Sequence, residues 1–204
     1  MSSLNVKKLL TTLKSKPKII LASTSPRRKE LLTATGLKFK VIASHYREDL
    51  TLNLKPKKLV LTLAEGKALA VAKKYKNTII IAADTIVVYQ SQILGKPRSA
   101  KEAKQILQTL NGKSHLVFTG LTVIDTGKNK KVSRVTQAKV FFKKMPMVEI
   151  NNYIKSKEPF GKAGAYASQG QGKILLKKII GDPYTVVGLP LKTLAKILKD
   201  FDIT

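Results

Sequence analysis

The chain has 204 residues and an unusual charge balance, 39 Lys and Arg against 12 Asp and Glu, for a net charge of +27. Its length and 43% hydrophobic content fit one folded domain or two small lobes and exclude wholesale disorder. With no cysteine there is neither a disulfide nor a thiolate metal site, and no apolar run approaches the ~20 residues of a membrane helix, so a cytoplasmic protein without a membrane span is expected.

In chain order, Leu4 to Leu13 has helical apolar spacing and reads as a short lead-in helix, with residues 1–17 an N-terminal extension. Lys18 to Ala22 reads as a buried strand. Ser25 is a suitable cap and Pro26 a suitable first residue for a helix that Gly36 stops. Leu37 to Ala43 alternates like a strand, and Pro56 to Lys74 has helical spacing. A β-branched run from Thr78 to Tyr89 follows, with a turn at Gln90-Ser91-Gln92 and a short return strand Ile93 to Gly95. Ser99 to Leu110 reads as an amphipathic helix. Two strands, near His115 to Asp125 and Val132 to Phe142, flank a turn at Gly127-Lys128-Asn129. A helix near Met147 to Lys155, a glycine-rich passage from Gly161 to Gly172, a strand near Ile174 to Ile180 and a helix after Pro190 complete the chain. This alternation predicts an α/β protein with a mixed sheet.

The basic charge admits two readings. Nucleic-acid binders gain affinity by displacing counterions from phosphates, but here the lysines are scattered, aromatics are 6% and Trp is absent, so base-stacking platforms are poorly supplied. A solvated lysine-rich surface is the favoured reading, with weak, sequence-independent attraction to nucleic acid as its side effect.

Two local features point to chemistry. Strand, Ser23-Thr24-Ser25-Pro26-Arg27-Arg28, then helix is a phosphate-binding arrangement: a helix start offers unpaired N–H groups, and the arginines offer forked donors. Spacing alone leaves open an ordinary capped helix with two exposed arginines. Asp84 interrupts Ile79-Ile80-Ile81-Ala82-Ala83-Asp84-Thr85-Ile86-Val87-Val88, where a carboxylate requires a reason. Neither a dinucleotide-binding glycine motif nor a P-loop occurs.

The segment Leu21-Ala22-Ser23-Thr24-Ser25-Pro26-Arg27-Arg28-Lys29-Glu30-Leu31-Leu32 resembles the opening signature of the Maf family. Further matches follow in order: Leu63 to Ala68, Ala82 to Val87, Leu94-Gly95-Lys96-Pro97, Thr119-Gly120, Glu158-Pro159 through Tyr166, Ser168-Gln169-Gly170 and Val187 to Pro190. The resemblance runs from Ile19 to Asp202. It implies a fold similar to the inosine-triphosphate pyrophosphatases, with residues 18–204 as one domain: an elongated mixed sheet with flanking helices in two lobes around a central cleft. It also implies hydrolysis of a nucleoside triphosphate to the monophosphate and pyrophosphate with Mg²⁺ or Mn²⁺.

By position in that family, Asp84 is the catalytic aspartate, as general base or as a metal-bridging group. Glu48 is its partner on the metal, with Asp49 a close competitor. Ser23, Arg28, Lys67 and Lys96 would face the triphosphate. Arg27, Thr85 and Gln169 match the set associated with dTTP and UTP rather than 7-methyl-GTP, and Gln169 carries the donor and acceptor that an imide edge requires. Modified pyrimidine triphosphates and a house-cleaning role belong to the same expectation.

His45 and His115 are poor catalytic candidates, His115 being expected to have a structural role at a strand start. Phe118, Phe141, Phe142 and Tyr166 are expected in the core. Gly161 and Ala138 depart from the family pattern of Asp and Thr, which raises the question of what holds Lys162. The alternatives are a basic nucleic-acid-binding protein or a regulator of cell division with little catalysis. Family members often form homodimers, although no patch in the sequence marks a dimer interface.

Overall fold

The structure, a computed structural model, describes residues 17–203. The lead-in helix expected at Leu4 to Leu13 lies outside them. Seven strands form one mixed sheet: β1 (Lys18–Leu21), β2 (Lys40–Val41), β3 (Thr78–Tyr89), β4 (Gln92–Leu94), β5 (Ser114–Asp125), β6 (Lys130–Phe142) and β7 (Leu176–Gly181). Their order is β2-β1-β3-β5-β6-β7, with β4 paired to β3. The helices are α1 (Pro26–Thr33), α2 (Pro56–Ala72), α3 (Ala100–Leu110), α4 (Met147–Lys155), α5 (Pro183–Val187) and α6 (Leu191–Asp200), with 3₁₀ turns at Ala163–Ala165 and Gly170–Leu175. The α/β class and the mixed sheet agree with the sequence reading.

The chain divides into two compact units. One takes the described residues up to Asp84, Thr119–Thr136 and those from Gly188 on; the other takes Thr85–Phe118 and Gln137–Val187. In the first unit, β1 pairs in parallel with β3 (Ile20 opposite Ile80) and with β2 (Leu21 opposite Val41). With strands on both sides, β1 is buried after its first residue, which explains its unbroken Ile-Ile-Leu run. Ile20, Ala22, Ala68, Val71, Ile80, Ala82 and Ile124 pack together under α2. Small residues keep the helix close: a Cβ at Gly120 would stand 2.4 Å from the Val60 carbonyl oxygen.

In the second unit, β3 turns into β4 through Gln90 and Ser91, both at positive φ (46° and 64°), the backbone of a tight hairpin that matches strand twist. β6 pairs antiparallel with β7, Val140 opposite Ile179. The core gathers Leu107 and Leu110 of α3, Ile150 and Tyr153 of α4, and Val117, Val140, Phe142 and Tyr166. The α3 helix owes its start to Ser99, whose hydroxyl accepts from the Glu102 N–H at 3.1 Å.

Several boundaries differ from the pattern-based ones. Of Leu37 to Ala43 only Lys40–Val41 pairs, because the segment reaches just the end of β1 at the sheet edge and both residues stay exposed. Helices α1 and α2 stop at Thr33 and Ala72. Ile174 belongs to a 3₁₀ turn, and the strand begins only at Leu176. The α5 turn was not expected; Asp182 starts it by accepting from the Tyr184 N–H at 3.1 Å, with Pro183 behind it. Phe118, Phe142 and Tyr166 are buried as expected, but Phe141 is half-exposed, with the Lys139 ammonium 5.2 Å from its ring centre. Among the described residues no helix is long and apolar enough to cross a membrane.

Candidate active site

The first unit brings three of its predicted residues, Glu48, Lys67 and Asp84, into one ion-paired group, in which Lys67 is central. It projects from α2, where most lysines would be solvated, yet it is only 7% exposed. Its ammonium lies 2.5 Å from Asp84 Oδ1 and 2.7 Å from Glu48 Oε1. The two carboxylates therefore converge on one point. Asp84, 5% exposed, stands where β3 leaves this unit and is buried in line with the apolar residues before it. Burial of these charges is tolerable because each is matched at hydrogen-bonding distance; removing one partner would strand the others.

Glu48 reaches this point by way of Tyr46. The Tyr46 ring lies against α2 where Gly66 leaves room; a Cβ there would stand 2.3 Å from the ring. That contact seats the irregular segment beside the turn of helix that carries Lys67. Glu48 remains partly wet, its side chain 30% exposed. Asp49, the competing carboxylate, is committed elsewhere: it accepts from Thr51 Oγ1 at 2.6 Å and from the Thr51 N–H at 2.8 Å. Those two bonds hold its carboxyl below the usual carboxylate range.

Arg28 is a second cation within electrostatic reach of Asp84 and Glu48. Its Nε donates to the Gly188 carbonyl at 2.8 Å and its Nη1 to Ser23 Oγ at 3.3 Å. Burial pulls its pKa below the ordinary arginine value, Asp84 pushes it back, Arg27 lowers it again and Glu48 raises it; a guanidinium stays charged throughout. Ser25 occupies the N-cap position of α1 but its side chain makes no capping bond. Instead its N–H donates to Ser23 Oγ at 3.2 Å. The helix start is thus shaped by Ser23, and the cap expected of Ser25 is absent. Arg27, on the same first turn, is half-buried.

The other predicted residues, Thr85, Lys96 and Gln169, belong to the second unit. Thr85 is half-buried in β3. Lys96 is exposed between Gly95 and a buried Pro97, and the Gly95 carbonyl accepts from the Gly164 N–H at 3.0 Å. Gly164 has φ +70°, and a Cβ there would meet Val87 at 2.9 Å, so this anchor needs glycine. Gln169 is exposed and extended, immediately before the 3₁₀ turn Gly170–Leu175. Lys162 donates to the Glu158 carbonyl, so its position does not depend on an acid at 161; Gly161 itself has φ +72° and open space around it.

His115 has the structural place expected of it. It is 2% exposed at the start of β5, with Nε2 at 2.8 Å from the Tyr166 hydroxyl and edge-on to Phe142 and Tyr166. Burial lowers its pKa to about 4, so it is neutral at pH 7.

Two contributors escaped the sequence reading. The Gly188 carbonyl holds Arg28, and only the Val187-Gly188-Leu189-Pro190 match hinted at that position. The Tyr46–Gly66 contact was signalled only by a glycine inside a helix, which costs helix stability and so asks for a packing reason.

Residues 18–201 match the family model described as Maf-like protein. The chain belongs to the Maf-like family. It is 47% identical over 186 residues to the dTTP/UTP pyrophosphatase of Bacillus cereus strain ATCC 14579, and equally, 47% over 186 residues, to the dTTP/UTP pyrophosphatase of Bacillus anthracis. Each alignment covers 91% of this chain and 96% of the relative. Among solved structures, the Ham1 protein of Staphylococcus aureus matches with a TM-score of 0.49 and 10% identity, over 90% of this chain and 99% of that one.

Proposed function

We propose that this Maf-like protein is a nucleoside-triphosphate pyrophosphatase acting on UTP and dTTP. The observation that carries the reading is the Lys67 ammonium bonded at once to Asp84 and Glu48, with Arg28 held alongside by Ser23 and Gly188. Two acids converge with two cations on the unit that also carries the Ser23–Arg28 turn. A polyanion-binding module has no use for two carboxylates converging on its cations, where they would repel its ligand, so this group favours catalysis over the nucleic-acid and regulatory alternatives. The two Bacillus relatives, both dTTP/UTP pyrophosphatases by name, favour the same substrates for this chain.

In the proposed reaction a water oxygen attacks the α-phosphorus. The bond from that phosphorus to the α–β bridging oxygen breaks, and pyrophosphate leaves with the electron pair. Asp84 takes the proton of the attacking water. Arg28, Lys67 and Lys96 counter the charge that grows on the phosphate oxygens, the largest single demand of such a reaction. Ser23 adds a hydroxyl and keeps Arg28 in place.

A divalent cation fits the donor set. Glu48 and Asp84 supply two carboxylates converging on one point, and Mg²⁺ commonly takes one or two carboxylates and completes its shell with water and substrate phosphate oxygens. Among the described residues no group of three or more His, Cys, Asp or Glu forms a self-sufficient metal cage. The ion would be held by Glu48 and Asp84 and would neutralise phosphate charge.

Arg27, Thr85 and Gln169 are proposed to choose the base, with modified pyrimidine triphosphates as further substrates in a house-cleaning role in the cytoplasm. The test is pyrophosphate release from UTP, dTTP, CTP and 7-methyl-GTP with Mg²⁺, Mn²⁺ or EDTA. The expected result is highest kcat/KM for UTP and dTTP and none with EDTA. A preference for 7-methyl-GTP would overturn the base assignment, and undiminished activity in EDTA would overturn the metal assignment.

A further inference from the structure

The loop that carries Gln169 is held from outside. The 3₁₀ turn Gly170–Leu175 begins directly after Gln169, and a helical start leaves its first N–H groups without internal partners. Gln169 occupies the capping position, yet its side chain makes no capping bond. The acceptors come instead from Glu158, just beyond α4: its Oε2 accepts from the Gly172 N–H at 2.7 Å and its Oε1 from the Gln171 N–H at 3.3 Å. The approach is close enough to exclude a side chain at Gly170, where a Cβ would stand 2.3 Å from Glu158 Oε1 and φ is +65°. A second anchor precedes Gln169: the Ala167 N–H donates to the Tyr153 hydroxyl at 3.1 Å. Glu158 is itself fixed, since Lys162 donates to its carbonyl and its own N–H donates to Ser156 Oγ at 3.2 Å.

We infer that Glu158 is a positioning residue for base selection: by capping the turn behind Gln169 it fixes where that amide stands, and it leaves the amide available to the base. The inference rests on the base-choosing role proposed for Gln169. A carboxylate accepting two backbone N–H groups makes charge-assisted bonds, stronger than neutral ones, and without them the turn loses its only described side-chain cap. Selectivity should then fall while chemistry persists, because Lys67, Asp84, Glu48 and Arg28 lie in the other unit.

The experiment measures kcat and KM for UTP and 7-methyl-GTP in wild type, Gln169→Ala, Glu158→Ala, Glu158→Gln, Gly170→Ala and the double variant Gln169→Ala/Glu158→Ala. Glu158→Ala and Gly170→Ala, which disturb the same contact from its two sides, are expected to cut the UTP to 7-methyl-GTP ratio of kcat/KM about tenfold, with the loss in KM for UTP. Glu158→Gln, which keeps one acceptor oxygen, should fall between. In the double variant Glu158→Ala should add nothing to the ratio already lost with Gln169, because coupled residues are not additive. If Gln169→Ala lowers the ratio while the Glu158 and Gly170 variants keep it, the inference fails and the role of Gln169 stands. If Gln169→Ala keeps the wild-type ratio, the base assignment fails and the inference with it. An additive loss in the double variant would overturn the positioning role. So would loss of the folded state in Glu158→Gln as well as Glu158→Ala, which would make Glu158 part of the fold rather than of the selector.

Discussion

Replacing Lys67 by Met keeps a four-atom apolar stem of similar shape and removes the ammonium, with its charge and its hydrogen bonds. Asp84 loses a bond of 2.5 Å and Glu48 one of 2.7 Å, so two carboxylates converge with nothing between them. Breaking a buried ion pair costs about 3–5 kcal/mol. Two features place the cost near the lower end: Glu48 is 30% exposed and can be hydrated, and Arg28 still attracts Asp84. A loss of about 3 kcal/mol lowers the melting temperature of a chain this size by roughly 6–12 °C. The variant should also respond to Mg²⁺ in a way the wild type does not. In the wild type an ion must displace the ammonium, whereas in Lys67→Met the carboxylates are open to it. At ten times its dissociation constant the ion contributes about 1.4 kcal/mol, a rise of roughly 3–6 °C. Thermal melts with and without Mg²⁺, in the absence of nucleotide, read both effects. Equal Mg²⁺ responses in the two proteins, or a Lys67→Met protein as stable as wild type, would refute the reasoning.

Two further predictions concern pH and packing. His115 has a folded-state pKa of about 4 against 6.5 for a free side chain, so between those values the unfolded chain binds the proton that the folded one refuses. Its contribution is complete above pH 6.5 and is lost as pH falls toward 4, by about 3 kcal/mol in all; wild type should therefore lose more stability over that window than His115→Asn, and parallel melting curves would contradict this. Gly66→Ala should gain helix propensity of about 1 kcal/mol and yet lose activity, because the Tyr46 ring must leave α2 and draw Glu48 from Lys67. Retention of full turnover by Gly66→Ala would remove that link.

How much of this was legible in the sequence depended on the kind of signal. Asp84 could be found because a carboxylate within Ile-Ile-Ile-Ala-Ala-Asp contradicts its surroundings. The burial of Lys67 could not, since a lysine at helical spacing reads the same whether solvated or paired, and only the family resemblance singled it out. Glu48 and Asp49 sit in irregular chain with no period to orient them, and it took the Thr51 bonds to Asp49 to separate them. The cap on the Gln169 loop was invisible for another reason: Glu158 and Gly172 are distant in sequence, and a carboxylate bonding to backbone leaves no mark on residue type at the receiving end. Strand extents failed at the edges, as at Leu37 to Ala43, because alternation shows which residues could pair but not how far a neighbouring strand extends. The Maf-like resemblance carried the order of the motifs, while the convergence of Lys67, Asp84, Glu48 and Arg28 came from the structure.

The role proposed for Asp84, in the group built around Lys67, is to drive attack at the α-phosphorus of a nucleoside triphosphate. The most direct measurement follows the phosphorus products of UTP by ³¹P NMR, with Mg²⁺ present, for wild type and Asp84→Asn. UMP and pyrophosphate are expected from the wild type, and turnover lower by about 10²–10⁴-fold in the variant, the range ordinarily supplied by a positioned acid or base. UDP and inorganic phosphate as products, or equal turnover by Asp84→Asn, would contradict that role.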